Sequence, residues 1–332
     1  MEVKLPPLQL RKDLEERGIY AGQPLAGDPS HTQVMWPRPD GRDYVDLFPY
    51  LGPDRELSYD QLSFVELHFQ FWEQARDFLD HRFYPEAIAK LKAANPGLII
   101  YGHLPFLEIP PGERQPFRLN YLLLKPPASL IEDCRDQGLE AKEIEPEDFN
   151  SLIEAVAASG ISYITLHLSS PGFFLDDHEF KIARKKAERV ASFAKRVGVA
   201  IGIETGGLRE DQLRALSQLE NVQITWDEEH AMLDGLSHDS LAVLLASDKV
   251  GLVHLAVPRE RKHNKSPLTR LNSDQRKRIK KVVELVAPKS KSRIENGGRP
   301  IPMMFETQPP TLENYRIILQ MANLNKELVD KF

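Results

Sequence analysis

From residue 97 onward the chain repeats one pattern. A short run of apolar, β-branched residues carries a histidine or carboxylate near its end, and a longer stretch with helical spacing follows. The runs are GLIIYGHLPF (97–106), ISYITLHLSS (161–170), VAIGIETGG (199–207), VQITWDEEH (222–230), VGLVHLAVP (250–258) and PIPMMFETQ (300–308). Each is nearly continuous in apolar residues rather than alternating, which marks strands covered on both faces and hence a parallel sheet. Between them lie EDFNSLIEAVAASG (147–160), the stretches 176–198, 208–220 and 236–247, and SDQRKRIKKVVELV (273–286). Several of these begin at Ser or Asp and end at Gly, as helices do. Parallel strands joined by helices imply right-handed crossovers.

Upstream, LSFVELHFQF (62–71) reads as a further strand, with a helix through PEAIAKLKAA (85–94), and a first strand is expected within RGIYAGQPLA (17–26). Eight βα units are the number that closes a (β/α)8 barrel. A length of 332 residues is compatible with one such domain carrying insertions. The expected layout is an N-terminal extension over 1–60 that includes the first strand, a catalytic barrel over 61–325, and a C-terminal tail over 326–332. The Pro-, Gly- and Asp-rich stretch 27–60 and the long connection 107–146, with its loose helical pattern, read as insertions.

Composition narrows the function classes. With 41% hydrophobic and 28% charged residues the chain falls among soluble globular proteins. A single cysteine, Cys134, excludes an intrachain disulfide and a CxxC motif. The N-terminal MEVKLPPLQLRKDLEERG lacks the apolar core of a signal peptide, and no run approaches the roughly 18 apolar residues of a membrane span. A cytoplasmic protein without a membrane partner is therefore expected. A net charge of −6 disfavours a generally basic nucleic-acid binder but leaves room for a local patch.

The chemistry is concentrated where the runs end. His103, His167, Glu204, Asp227, His254 and Glu306 each follow a mainly apolar stretch near the C-terminal end of a different strand. In a βα barrel those ends converge on the catalytic face. One such residue alone can be a helix cap. Six in register, all of metal-binding types, point to a divalent ion, because burying several carboxylates side by side without a cation is costly. A mixed O/N donor set suits zinc, manganese, cobalt or iron without choosing among them. His230, three residues past Asp227, can join the set by a turn, and His263 in RERKHNKSP is a further candidate. Of Glu66 and His68 in FVELHFQF, one is expected to face substrate. Residues 259–299 hold fourteen Lys or Arg against four acids. The helical part reads as a solvated face, whereas Arg259, Arg261 and Lys262 lie in a loop of the active face and could hold a phosphate or another anion.

HLPF, LHL, GIETGG, TWDEEHA, LVHLAVP and PMMFETQ resemble, in order and spacing, the motif series of the xylose isomerase-like TIM-barrel superfamily, over about residues 62–325. That superfamily includes sugar isomerases and epimerases and the endonuclease IV class. The resemblance implies a metal core of Glu204, Asp227, His254 and Glu306. In the endonuclease branch it further implies ions held by His103 and His167 with Glu204 bridging, and by His230 and His263, so one to three ions per chain. This chain departs from that branch in loops the branch uses to hold DNA and complete its cluster. Arg261 stands where an aspartate is expected, NKSPLTR replaces a glycine-rich segment, Phe106 replaces a tyrosine, and Leu168–Ser169 replace proline-glycine.

The expected activity is thus metal-dependent isomerisation or epimerisation of a carbohydrate or polyol, free or phosphorylated. The resemblance implies that the metal chelates a hydroxyl and a carbonyl while Glu204 and Glu306 remove and return a proton. The alternatives are an endonuclease IV-like zinc phosphodiesterase, which alone would engage nucleic acid, and a metal-binding barrel without turnover.

Overall fold

The computed structural model describes residues 7–26, 63–68, 88–89, 92–93, 95–104, 107–108, 118–119, 140–141, 145–169, 171–256, 258–259, 262–265 and 271–305. Eight strands form one closed barrel: β1 (Tyr20–Ala26), β2 (Phe64–His68), β3 (Ile99–His103), β4 (Tyr163–Leu166), β5 (Ala200–Glu204), β6 (Val222–Asp227), β7 (Val250–His254) and β8 (Pro302–Met304). Each pairs in parallel with its sequence neighbours, and β8 closes on β1 through Tyr20↔Pro302 and Gly22↔Met304. This is the (β/α)8 TIM barrel that the repeated runs imply.

The period of two along a strand explains why the runs look continuously apolar yet end in polar groups. Val65, Leu67, Ile100, Ile164, Leu166, Ile201, Ile203, Ile224, Trp226, Val253 and Met303 belong to the large core cluster that includes the helices' apolar faces. Burial of each is worth about 1.5–3 kcal/mol. The alternate residues line the barrel interior. Its base is an aromatic plug of Phe64, Tyr101 and Tyr163 with Leu252 and Met304, in which the two tyrosine rings stack at 4.6 Å. Two residues further along the same strands the interior turns polar, at Glu66, His103, Thr165 and His254. Gly202 and Gly251 make room for the plug, since a Cβ on either would lie within 2.4 Å of a Tyr163 atom.

Helices fill expected intervals at α2 (Asn150–Ala158), α3 (Asp177–Arg196), α4 (Glu210–Ser217), α6 (His238–Ala246) and α7 (Ser273–Glu295), and two more form at α1 (Pro7–Glu15) and α5 (Glu228–Leu233). The start of α3 is fixed by a reciprocal cap in which Asp176 accepts from the Glu179 amide and Glu179 from the Asp176 amide. Within the stretch 85–94, residues 88, 89, 92 and 93 are helical.

Four local features differ from the sequence reading. The helix expected over 273–286 runs on to Glu295, past Pro288. Buried Val286, Ala287 and Ser290 and the Arg293–Asp248 ion pair hold its second half in place. The unexpected α1 closes through Gly18, at φ +80°, whose missing Cβ admits the Ala287 carbonyl. The connection 107–146 contains a three-stranded sheet of Leu107–Glu108, Arg118–Leu119 and Glu140–Ala141, and the segment after β7 forms a small antiparallel pair, Pro258–Arg259 with Lys262–Lys265. No helix among the described residues is long and apolar enough to cross a membrane.

Candidate metal centre at the barrel mouth

The strand ends bring five of the predicted residues together, and a turn adds a sixth. His103 ends β3, Glu204 ends β5, Asp227 ends β6 and His254 ends β7, while His167 follows β4 directly. Asp227 also caps α5, accepting the His230 amide at 2.8 Å, so the first turn of that helix swings His230 back over the site. Thr205 locks the β5 end to the β6 end. Its hydroxyl accepts from the Asp227 amide at 2.9 Å and donates to the Asp227 carbonyl at 3.1 Å.

Glu204 is the hub. Its Oε2 lies 3.1 Å from Nε2 of both His103 and His167, and those two nitrogens are 3.0 Å apart. Its Oε1 lies 3.1 Å from His230 Nδ1 and 3.6 Å from His254 Nδ1, and the latter is also 3.6 Å from Asp227 Oδ2. Burial alone would raise the Glu204 carboxyl. His167 and His254 facing it, with hydrogen bonds to His103 and His167, outweigh that and hold it well below the usual carboxylate range.

The donor chemistry fits divalent ions. A carbonyl only accepts, so the Leu104 carbonyl, 3.0 Å from His103 Nδ1, requires a proton on Nδ1. The Nε2 facing the Glu204 carboxylate then calls for positive charge at that contact, from a second ring proton or from a cation between the two atoms. The Thr205 carbonyl, 2.5 Å from His230 Nδ1, imposes the same tautomer on His230. Ligand histidines commonly bond a backbone carbonyl through the second nitrogen in this way. The His103, His167 and Glu204 atoms are 3.0–3.1 Å apart. Zinc–nitrogen bonds of about 2.0–2.1 Å give tetrahedral ligand–ligand edges of about 3.3–3.4 Å, a few tenths of an ångström longer than these contacts. Three groups could hold an ion: His103 with His167 and Glu204, Glu204 with Asp227 and His254, and Asp227 with Glu229 and His230. Glu66, Glu204, Asp227 and Glu229 are at most 2% exposed, and four such carboxylates among histidines call for cationic charge.

Comparison with known proteins bears on the scaffold. No family model matches the chain, and no curated protein sequence matches it. Among solved structures, a 3-keto-D-glucoside 4-epimerase from E. coli aligns over 91% of this chain and 97% of its own, at 14% identity and a TM-score of 0.51. A D-allulose 3-epimerase from Methylomonas sp. aligns over 92% and 94%, at 12% identity and a TM-score of 0.51. The fold is shared with sugar epimerases. At these identities the likeness is one of fold, and it agrees with the xylose isomerase-like resemblance of the motifs.

The other predicted residues fall differently. Glu66 is wholly buried two residues before the end of β2, where it accepts from Thr165 Oγ1 at 2.7 Å and lies 3.1 Å from His254 Nε2. Glu306 and Arg261 lie outside the described residues. His68 ends β2, and Arg259, Lys262 and His263 lie on the small strands after β7, but their side chains are outside the described set. Residues the sequence reading missed are Thr165, Thr205, Glu229 and Asp234. Asp234 accepts from the Gly172 amide at 2.7 Å and the Gly207 amide at 2.6 Å, tying together the loops after β4 and β5. Burial raises its carboxyl, against the lowering effect of those two amides. Glu229 was legible from TWDEEH, where it stands between two named candidates; the threonines carry no signal that separates them from ordinary strand residues.

Proposed function

We propose that the chain is a divalent-metal-dependent isomerase or epimerase acting on a sugar or related polyol. The observation that carries this reading is the convergence of Glu204, Asp227 and His254 at the barrel mouth, with Glu204 held ionised among histidines. These three, together with Glu306, would hold the ion. When bound it would supply Lewis acidity at a substrate carbonyl and hydroxyl. Ionised Glu204 would accept the proton from the adjacent carbon, and Glu306 would return it from the opposite side. His103, His167 and His230 would orient hydroxyls, and Arg259, Arg261 and Lys262 would hold a phosphate if the sugar carries one. Both structural neighbours described above are sugar epimerases, which supports this reading.

One observation favours a second reading. His103 and His167 close on the same oxygen of Glu204, an arrangement that suits a second ion and hence an endonuclease IV-like phosphodiester hydrolase. Elemental analysis of the purified chain, combined with proton exchange into D2O over a panel of ketoses, aldoses and their monophosphates, separates the two. About one ion per chain with C–H exchange, reduced at least 100-fold in Glu204→Gln, is the expected result. More than one zinc with cleavage of abasic DNA and no exchange would overturn the sugar reading in favour of the hydrolase. Metal binding with neither activity would leave the non-catalytic barrel.

A further inference from the structure

The barrel interior contains a polar chain that the proposed reaction does not use. Tyr163 Oη lies 2.9 Å from Thr225 Oγ1, Thr225 Oγ1 lies 3.3 Å from Thr165 Oγ1, and Thr165 donates to Glu66 Oε1 at 2.7 Å. Glu66 Oε2 then reaches His254 Nε2 at 3.1 Å. None of the five side chains' residues is more than 2% exposed. Strands β2 and β7 are not neighbours in the sheet, so the Glu66–His254 contact crosses the barrel. A carboxylate placed there is expensive unless the group it faces needs it.

We infer that Glu66 is a positioning residue for His254, holding the ring with its proton on Nε2 and its Nδ1 turned toward Glu204 and Asp227. The ring stands between carboxylates on both sides, and a neutral imidazole has one N–H to give. The closer approach is at Nε2, 3.1 Å against 3.6 Å at Nδ1, so the proton belongs on the Glu66 side. The Nδ1 lone pair is thereby left facing two carboxylate oxygens, which is the stance of a metal ligand. The Nε2 contact is an ion-pair approach at 3.1 Å, so Glu66 acts chiefly by charge and proton placement. Thr165 fixes the carboxylate from the other side. Glu66 therefore acts through His254 and is not itself a substrate contact.

The inference rests on the metal-binding part of the reading above and not on the sugar substrate. Zinc affinity of the full chain is measured by competition with a chromophoric chelator, and the His254 tautomer by 15N NMR of the zinc form. Glu66→Gln should weaken zinc binding about 10–100-fold while the far-UV spectrum stays that of the wild type. Thr165→Val should weaken it in the same direction, and Thr165→Ser should restore it. The wild-type zinc form should show His254 with Nε2 protonated and Nδ1 bound. Unchanged zinc affinity in Glu66→Gln, or a His254 ring bound through Nε2 or doubly protonated, overturns the inference. If Glu66→Gln does not fold, the threonine pair and the wild-type spectrum decide. Weaker zinc binding in Glu66→Gln without any sugar exchange in the wild type counts against the sugar reading alone. Sugar exchange in the wild type with unchanged affinity in Glu66→Gln counts against this inference alone.

Discussion

Replacing Thr205 with valine keeps the shape of the side chain and removes its hydroxyl, which isolates what that oxygen does. In the structure the hydroxyl takes a bond from the Asp227 amide at 2.9 Å and gives one to the Asp227 carbonyl at 3.1 Å, at a residue with no solvent exposure. Each bond contributes about 0.5–1.5 kcal/mol net, and leaving a buried backbone group unsatisfied costs about 1–3 kcal/mol. Thr205→Val should therefore lower unfolding stability by about 2–6 kcal/mol, from the lost pair and one stranded group. Thr205→Ser keeps both bonds and loses a methyl group, about 1 kcal/mol. Urea titrations followed by circular dichroism and tryptophan fluorescence give the values, provided the slopes match across variants. Because Asp227 also caps α5 beneath His230, zinc affinity should fall in the valine variant and hold in the serine one. A valine variant within about 0.5 kcal/mol of wild type, the usual span of neutral surface changes, would refute the claim that Thr205 locks the β5 and β6 ends together.

Two further predictions test the interior and the loops. Gly202→Ala places a Cβ 2.1 Å from Tyr163 Oη and 2.5 Å from Thr225 Oγ1; it should cost at least about 1–3 kcal/mol in the same urea assay, and a neutral result would mean that the aromatic plug can shift. For Asp234, burial holds the folded carboxyl above its ordinary value, so its contribution is fullest below the unfolded pKa, about 3.9, and is lost as pH rises through the folded pKa. The stability advantage of wild type over Asp234→Asn should accordingly shrink as pH rises from about 4 toward neutrality; an advantage that grows over that window would show that the Gly172 and Gly207 amides outweigh burial.

The barrel was legible because its signal is short-range. The runs that became β2 to β8 each announce two-sided burial within about five residues, and the same runs display His103, Glu204, Asp227 and His254 at their ends. What misled the reading was local punctuation that tertiary contacts override, as at Pro288, which sits inside α7 because buried neighbours and Arg293 anchor the turns beyond it. Helix α1 carried its own marks, Pro7 at its start and Gly18 after its end, in a segment too polar to look like part of a core.

Sequence by itself determined the number and order of the strands and the chemistry at their ends, because alternation and hydrophobicity are properties of neighbouring residues. Only the closed barrel decided which donors meet. It set His103 and His167 on one oxygen of Glu204, brought His230 onto the other oxygen, and placed Glu66 against His254 from across the barrel. It also fixed the proton on His103 and His230 by presenting the Leu104 and Thr205 carbonyls. The pairings of Glu204 with His103 and His167, of His230 with Thr205 and of Glu66 with His254 span tens to nearly two hundred residues, and no local pattern encodes them; they follow from strand register and from the requirement that buried polar groups find partners.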